Sequence, residues 1–203
     1  MIQSIETWNF LLRRAIRSCI IRPVDFQTRL AEAVYDFLDV GKSPRLSDCI
    51  FVPAGNQERK IHGITMWRVG YAPQVILSVG RFESQQLSEL KLESEGGFEQ
   101  LVSQTALQKK HFFLRLDHQD VSCIPVQRSE ARALAEYFRQ MPIRSLLVVS
   151  SPVNMRRTAL VIRRAFRKSR IQLTFVTVPE NMPLPREIWS EFRRYVFCLL
   201  FHC

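Results

Sequence analysis

The sequence lacks a cysteine pattern and the common enzyme motifs. Its five cysteines are odd in number, widely scattered and never spaced as C-x-x-C, which argues against a disulfide framework and against a zinc site. There is no G-x-G-x-x-G, no G-x-S-x-G and no H-E-x-x-H. The segment VGKS at 40–43 resembles the end of a phosphate-binding loop, but Asp36 stands where the first glycine should be and Pro44 follows.

Long apolar runs are also missing. The N-terminal apolar stripe between Ile5 and Ile20 has helical spacing, but Arg13, Arg14 and Arg17 interrupt it well before the roughly 20 apolar residues of a membrane span. We therefore expect neither a transmembrane segment nor a signal peptide, and we expect a reduced, cytoplasmic setting. The terminal helices, predicted at 3–40 and 186–203, are expected to pack on the core; peripheral contact with the inner membrane is the alternative.

What the chain does contain is ample apolar sequence and an excess of positive charge. With 203 residues, 46% of them apolar, a single domain is expected. The 29 Lys and Arg outnumber the 19 Asp and Glu, giving a formal charge of +10. Such a charge predicts attraction to polyanions, whether nucleic acid, phosphorylated metabolites or anionic lipid.

Apolar runs and helical patterns alternate along the chain. We predict strands at 48–55, 73–80, 144–151 and 171–179, and helices at 25–41, 58–70, 129–141, 155–170 and from 186 onward. The strands are almost continuously apolar, which is typical of a parallel sheet with helices on both faces. The sequence therefore predicts a three-layer, Rossmann-like α/β fold, doubly wound, with a core at about 46–180.

One region fits this alternation poorly. Residues 84–110 are compatible with two short helices divided at Gly96 and Gly97, and 111–126 with a hairpin that turns at 118–120.

Polar loops follow three of the predicted strands. Parallel strands bring such loops together at their carboxyl ends, where ligands bind. Glycines there permit close approach, serines and Asn154 offer neutral hydrogen bonds, and arginines can bind oxyanions. Two carboxylates, Glu83 and Glu130, could act as acid or base, although balancing the arginine charge is the commoner role. The candidate ligand-binding residues are Gly55, Asn56, Arg59, Ser78, Gly80, Arg81, Glu83, Glu130, Ser150, Ser151, Asn154, Arg156 and Arg157.

The helix predicted at 155–170 also carries a basic stripe. Seven arginines and lysines lie on two adjoining sides, opposite an apolar arc. Either this stripe is a solvated helix face, or it contacts nucleic acid or anionic lipid. Aromatic residues are not interleaved with the basic ones, which argues against single-strand binding.

Four segments together resemble the YdcF-like family, a domain of unknown function that includes SanA- and ElyC-like envelope proteins. They are DCIFVPAG, ER...G.TMWRVGYAPQVILSVGRFES, SEARALAEYF and LLVVSSPVNMRRTALVIRRAF, within about residues 46–180. The family positions that match or neighbour residues of this chain are Asp48, Gly55, Arg59, Ser78, Gly80, Glu130, Ser150, Ser151, Asn154, Arg156 and Arg157.

The resemblance implies a bacterial Rossmann-like protein that binds a phosphorylated or nucleotide-like small molecule; S-adenosylmethionine is one candidate cofactor. The chain departs from the family pattern where Asn154 replaces a histidine, and where a threonine before the acidic helix is missing. Loss of that imidazole weakens any proton-transfer mechanism.

Two functions therefore remain open. The first is a small-molecule-binding protein, with or without turnover, whose ligand lies at the strand ends. The alternative is a non-catalytic interaction module that uses the basic helix. Histidines are isolated in the sequence, and only His62, one turn after Arg59, could reach the same crevice.

Overall fold

The computed structural model describes residues 23–80, 111–117, 121–125 and 129–201. These residues form the helices and strands α1 (Pro23–Leu38), β1 (Cys49–Val52), α2 (Gln57–Arg68), β2 (Gln74–Gly80), β3 (His111–Asp117), β4 (Val121–Pro125), α3 (Glu130–Arg139), β5 (Ser145–Ser150), α4 (Pro152–Ala165), β6 (Gln172–Thr177) and α5 (Pro185–Phe201).

The strands form one six-stranded sheet in the order β4-β3-β2-β1-β5-β6. β1 lies between β2 and β5 and is parallel to both, and β6 adds parallel to β5. β3 pairs antiparallel with β2, and β4 antiparallel with β3. The predicted hairpin at 111–126 is thus confirmed, and so is the mostly parallel sheet. The helices predicted within 84–110, and the N-terminal helix before residue 23, lie outside the described residues.

Helices cover both faces of the sheet because the parallel strands are apolar on both sides. All four residues of β1 are fully buried, with alternate side chains in two separate clusters. Ile50 and Val52 pack with Ile64 and Met66 of α2. Phe51, on the other face, packs against the apolar sides of α3 and α4. This three-layer, Rossmann-like arrangement is the predicted α/β fold.

The outer helices α1 and α5 pack against each other and on α4. Ala31 and Leu38 of α1 meet Ile188 of α5 in a third small cluster, which Val153 of α4 joins. Phe37 contacts aromatic rings of α5 edge-on. Of the described helices, none is long and apolar enough to cross a membrane.

At the amino-terminal edge of the sheet, Asp48 joins β1 to β5. Its Oδ2 accepts hydrogen bonds from the backbone N–H groups of Arg144 at 2.7 Å and Ser145 at 2.8 Å. The hydrogen bond from Arg144 is the largest cause that lowers the pKa of this carboxyl. Asp48 therefore holds the strand pair together at the edge opposite the polar loops.

Several predicted boundaries were wrong by a few residues. α1 begins at Pro23 and ends at Leu38, before Gly41, whose N–H is bound by the Asp39 carboxylate at 2.9 Å. α4 spans Pro152–Ala165, where 155–170 was predicted. It begins earlier because proline has the fixed φ that suits the first helical position.

Candidate functional site

The polar loops converge at the point where the sheet changes direction. From β1 the chain moves through α2 to β2 on one side, while β5 lies on the other side of β1. Because α2 and α4 leave this point on opposite faces, a crevice opens between the loops, as in other open α/β sheets. A cleft of about 220 Å³ lies there. It is lined by Phe51, Pro53, Ala54, Arg59, Ser129, Glu130, Ala131, Asn154, Arg157, Thr158, Val161 and Ile162.

Arg59 reaches this cleft from the first turn of α2. Asn56 caps that helix, its Oδ1 accepting from the N–H of Glu58 at 3.2 Å. The Arg59 side chain is buried and its Nη1 lies 3.5 Å from Ser150 Oγ, at the end of β5. Gly55 has φ +131°, and a Cβ there would lie 1.9 Å from Arg59 Nη2. Only glycine lets the guanidinium lie so close to the loop.

Glu130, the first residue of α3, fixes one wall. Its Oε1 accepts hydrogen bonds from the N–H of Ala54 at 3.0 Å and from Ser78 Oγ at 2.7 Å. The carboxylate therefore ties together the β1 loop, β2 and α3. Of the two roles considered, this geometry fits a structural and charge-balancing one.

Asn154 and Arg157 form the opposite wall, on the first turns of α4. Asn154 Nδ2 donates to Ser151 Oγ at 3.0 Å, and its Oδ1 accepts from Arg157 Nη2 at 3.0 Å. Arg157 Nη2 also lies 3.3 Å from an oxygen of Glu191 on α5. Its Nε is buried and has no hydrogen-bond partner within the described part of the chain. Asn154, where the resembled family has histidine, therefore orients an arginine.

The structure brings some of the predicted residues to the cleft and leaves others out. Arg59, Glu130, Asn154 and Arg157 line it. Five other predicted residues contact these side chains or cap α2: Gly55, Asn56, Ser78, Ser150 and Ser151. Gly80 is the last residue of β2 and is not part of the lining. Arg81 and Glu83 lie outside the described residues.

Arg156 does not line the cleft, although it was predicted as a ligand-binding residue. Its Nε donates to the carbonyl of Phe37, and its guanidinium lies 3.8 Å from the centre of that ring. One helical position separates Arg156 from Arg157, which is enough to direct it toward α1.

Glu180 is a charged residue of this region that the sequence did not reveal. Burial raises the pKa of its carboxyl, against the opposing effect of nearby Arg59. Its Oε1 is buried without a hydrogen-bond partner among residues that the structure describes. Its position in the sequence could have revealed it, because Glu180 follows β6 and so comes after the carboxyl end of a fourth parallel strand.

Two residues considered for chemistry lie elsewhere. His62 is half-buried on α2 and outside the cleft, and burial lowers the pKa of its imidazole. Cys49 begins β1 at the far edge, where burial raises the pKa of its thiol. In the described ranges, no group of three His, Cys, Asp or Glu residues is placed to hold a metal ion.

Much of the predicted basic stripe contacts the chain itself. Besides Arg156 and Arg157, Arg163 lies 4.8 Å from the ring centre of Phe175. Arg164 donates from Nη1 to the Cys198 carbonyl at 2.6 Å and from Nη2 to the Leu199 carbonyl at 3.1 Å. These four arginines therefore hold α4 against its neighbours.

The fold and cleft define an α/β protein with a polar, arginine-lined crevice at the switch point of its sheet. Comparison of the chain with protein-family models, with curated proteins and with solved structures gives no match.

Proposed function

We propose that this protein binds a small phosphorylated or nucleotide-like molecule, whose phosphate lies in the cleft between Arg59 and Arg157. The single observation that carries the proposal is Arg157. It lines the cleft, and its Nε has no hydrogen-bond partner in the described ranges. A buried donor left unpaired costs about 1–3 kcal/mol, and a ligand oxygen that reached Nε would recover this cost.

Charge and helix ends support an anionic ligand. Two arginines and one carboxylate line the cleft, and one oxygen of that carboxylate already accepts hydrogen bonds from Ala54 and Ser78. The first turns of α3 and α4 both border the cleft. Helix N-termini favour phosphate because their free N–H groups and the helix dipole both attract negative charge.

Size supports a phosphate-sized group over a whole cofactor. The volume of about 220 Å³ is below the roughly 300–1,000 Å³ typical of pockets that enclose a drug-sized ligand. The phosphorylated end of a metabolite or nucleotide would then lie in the cleft, with the remainder outside it.

We propose that the cleft binds a ligand. An assay with each ligand that the screen identifies tests whether the protein also converts it. No histidine or cysteine of the described chain lines the cleft, and Glu130 is engaged in structural hydrogen bonds. The alternative module has less support, because four arginines of the basic helix are bound within the protein.

The relation to YdcF-like proteins belongs to the same proposal. It is supported by the way Arg59, Glu130 and Asn154, three of the positions that carry the resemblance, gather at one cleft. A cytoplasmic setting is also proposed. It is supported by Cys49, which is a free, buried cysteine.

The test is a thermal-shift screen with inorganic phosphate, sugar phosphates, nucleotides and S-adenosylmethionine. A ligand present at 100 times its Kd should stabilise the protein by about 2.7 kcal/mol. Arg157→Gln should lose this stabilisation, because it removes the charge and the free donor. Arg193→Gln, on the exposed side of α5, is the control with the same charge change. The proposal would be refuted if no compound stabilised the protein. It would also be refuted if a compound stabilised the Arg157→Gln variant as much as the wild type.

A further inference from the structure

A groove larger than the cleft runs between α3 and α4. Its volume is about 690 Å³. It is lined by Ser129, Ala131, Arg132, Ala135, Glu136, Arg139, Val161, Arg164, Ala165, Arg167 and Lys168. Ser129, Ala131 and Val161 also line the cleft, so the two spaces adjoin. We call this space the α3–α4 groove.

Small side chains keep the α3–α4 groove open. Ala131 and Ala135 on α3 and Val161 and Ala165 on α4 line it between the two helices. None of them is long enough to fill the space between the helix axes. From Ser129 to Arg139 the groove runs along ten helical steps, which is roughly 15 Å.

Its longer side chains are mostly cationic. Arg132 and Arg139 come from α3, while Arg164, Arg167 and Lys168 come from α4 and the turn after it. Glu136 is the one acidic residue in the lining that the structure describes. Arg132, Arg139, Arg167 and Lys168 make no ion pair with a described residue. A concave surface on which one sign of charge predominates concentrates the field and attracts ions of the opposite sign.

The lining also indicates which kind of polyanion fits. No described lining residue is aromatic, so the groove offers no platform on which bases could stack. Nucleic acid therefore fits less well than a chain of phosphates, which needs only cations and donors.

We propose that the α3–α4 groove binds the polyphosphate chain of the ligand whose terminal phosphate lies in the cleft. The ligand class is then a molecule with several phosphates in a row, either a nucleoside polyphosphate or an inorganic polyphosphate. This inference rests on the proposed function, because it extends a ligand already held at Arg157.

The test measures binding of orthophosphate, tripolyphosphate and ATP by calorimetry at low and high salt. Tripolyphosphate and ATP should bind about tenfold or more tightly than orthophosphate at low salt, and the advantage should shrink as salt rises. Equal binding of tripolyphosphate and ATP would indicate an inorganic chain; tighter binding of ATP would indicate a nucleoside.

The groove variant is Arg132→Gln with Arg139→Gln. It should remove the advantage of tripolyphosphate and leave orthophosphate binding unchanged. Arg132→Lys with Arg139→Lys should retain most of it, since the charge is kept. Arg186→Gln with Arg193→Gln removes two exposed charges from α5 and is the matched control. Circular dichroism establishes that each variant is folded.

Several outcomes would overturn the inference. Tripolyphosphate that binds no better than orthophosphate would do so, and so would an equal loss of affinity in the α5 control, since that indicates diffuse attraction. A single-stranded oligonucleotide that displaces tripolyphosphate through the same arginines would assign the groove to nucleic acid instead. If orthophosphate binding is absent or insensitive to Arg157→Gln, the proposed function fails, whatever the groove variant does.

Discussion

Glu180 shows how a single buried carboxylate can make the stability of this protein depend on pH. It lies near Arg59, which lowers its pKa, and near Glu58, which raises it, but burial is the largest effect and the net shift is upward. The folded protein therefore holds a proton at Glu180 more tightly than the unfolded chain does.

Glu180→Gln should remove this pH dependence. Stability linked to a raised carboxyl pKa is fully present below the unfolded pKa of about 4.3 and is lost as pH rises through the folded value. The variant should therefore gain stability relative to the wild type as pH rises from about 4.3 toward neutral. Urea unfolding across this range measures the difference, with Glu32→Gln as the control for net charge. A difference that is flat, or that falls with pH, would contradict the expected sign.

At single residues, the sequence predicted which residues lie near the strand ends better than it predicted the direction in which each side chain points. Arg59, Asn154 and Arg157 were chosen from their place after parallel strands and Glu130 from its place at the start of a helix, and all four line the cleft. Arg156 was chosen with them but contacts Phe37 of α1 and does not line the cleft. That contact depends on packing with a segment more than a hundred positions away, which the local sequence does not reveal. Glu180 was missed because a lone carboxylate after an edge strand has no distinguishing local pattern.

Among the helices and strands, α2 and β1 show how close packing constrains an element. Gly63 lies against the sheet, where an added Cβ would be 2.3 Å from Val52 Cγ2. A real Cβ cannot occupy that position, so α2 would have to move away from β1.

The effect of Gly63→Ala on the free energy of unfolding should therefore depend on the residue at position 52. In the wild type, overpacking costs about 1–3 kcal/mol and outweighs a gain in helix propensity of roughly 1 kcal/mol. In a Val52→Ala background the clash is relieved, and the same change should be neutral or stabilising. Urea denaturation of the four proteins gives the coupling energy directly. An equal effect of Gly63→Ala in both backgrounds would show that Val52 is not the obstacle.

The existence of each described element was easier to predict than its ends. Apolar runs and helical spacing located all four parallel strands and the five described helices. Their limits shifted because Pro152 starts α4 before its apolar pattern begins, and because Asp39 closes the end of α1 before Gly41. The first limit is set by the φ of one proline and the second by one local hydrogen bond, and hydrophobic periodicity registers neither.

Across the whole molecule, α5 is attached to the rest by contacts that include two arginines of α4, Arg157 and Arg164. The last turn of α5 has no basic residue of its own, and Arg164 donates to two of its carbonyls. A cation at a helix C-terminus stabilises it through the exposed carbonyls and the dipole.

Arg164→Gln should loosen the end of α5 and destabilise the protein by about 1–3 kcal/mol, because the hydrogen bonds from a charged donor are lost. Relative to the wild type, the variant should show faster hydrogen exchange around Leu199, and this increase should be larger than any increase in the strands. Arg167→Gln, an exposed arginine just beyond α4, is the control. Unchanged exchange in α5 would mean that apolar packing alone holds this helix.

The order of strands was predictable in part. Continuous apolar runs predicted parallel strands, and the turn at 118–120 predicted a hairpin. The place of β5 on the far side of β1 has no local signature, because it depends on pairing between strands some hundred residues apart. The place of the crevice within the sheet follows from the pairing of β5 with β1, and the sequence alone did not predict that pairing.

The brevity of β1 has a practical meaning for this protein. Four residues span only roughly 13 Å, yet Asp48 fastens one end while the polar cleft occupies the other. The contacts that hold the strands together and the residues proposed to bind the ligand thus lie at opposite ends of β1. The residues at the cleft end of β1 could therefore be redesigned extensively while Asp48 continued to hold the central strands together at the other end.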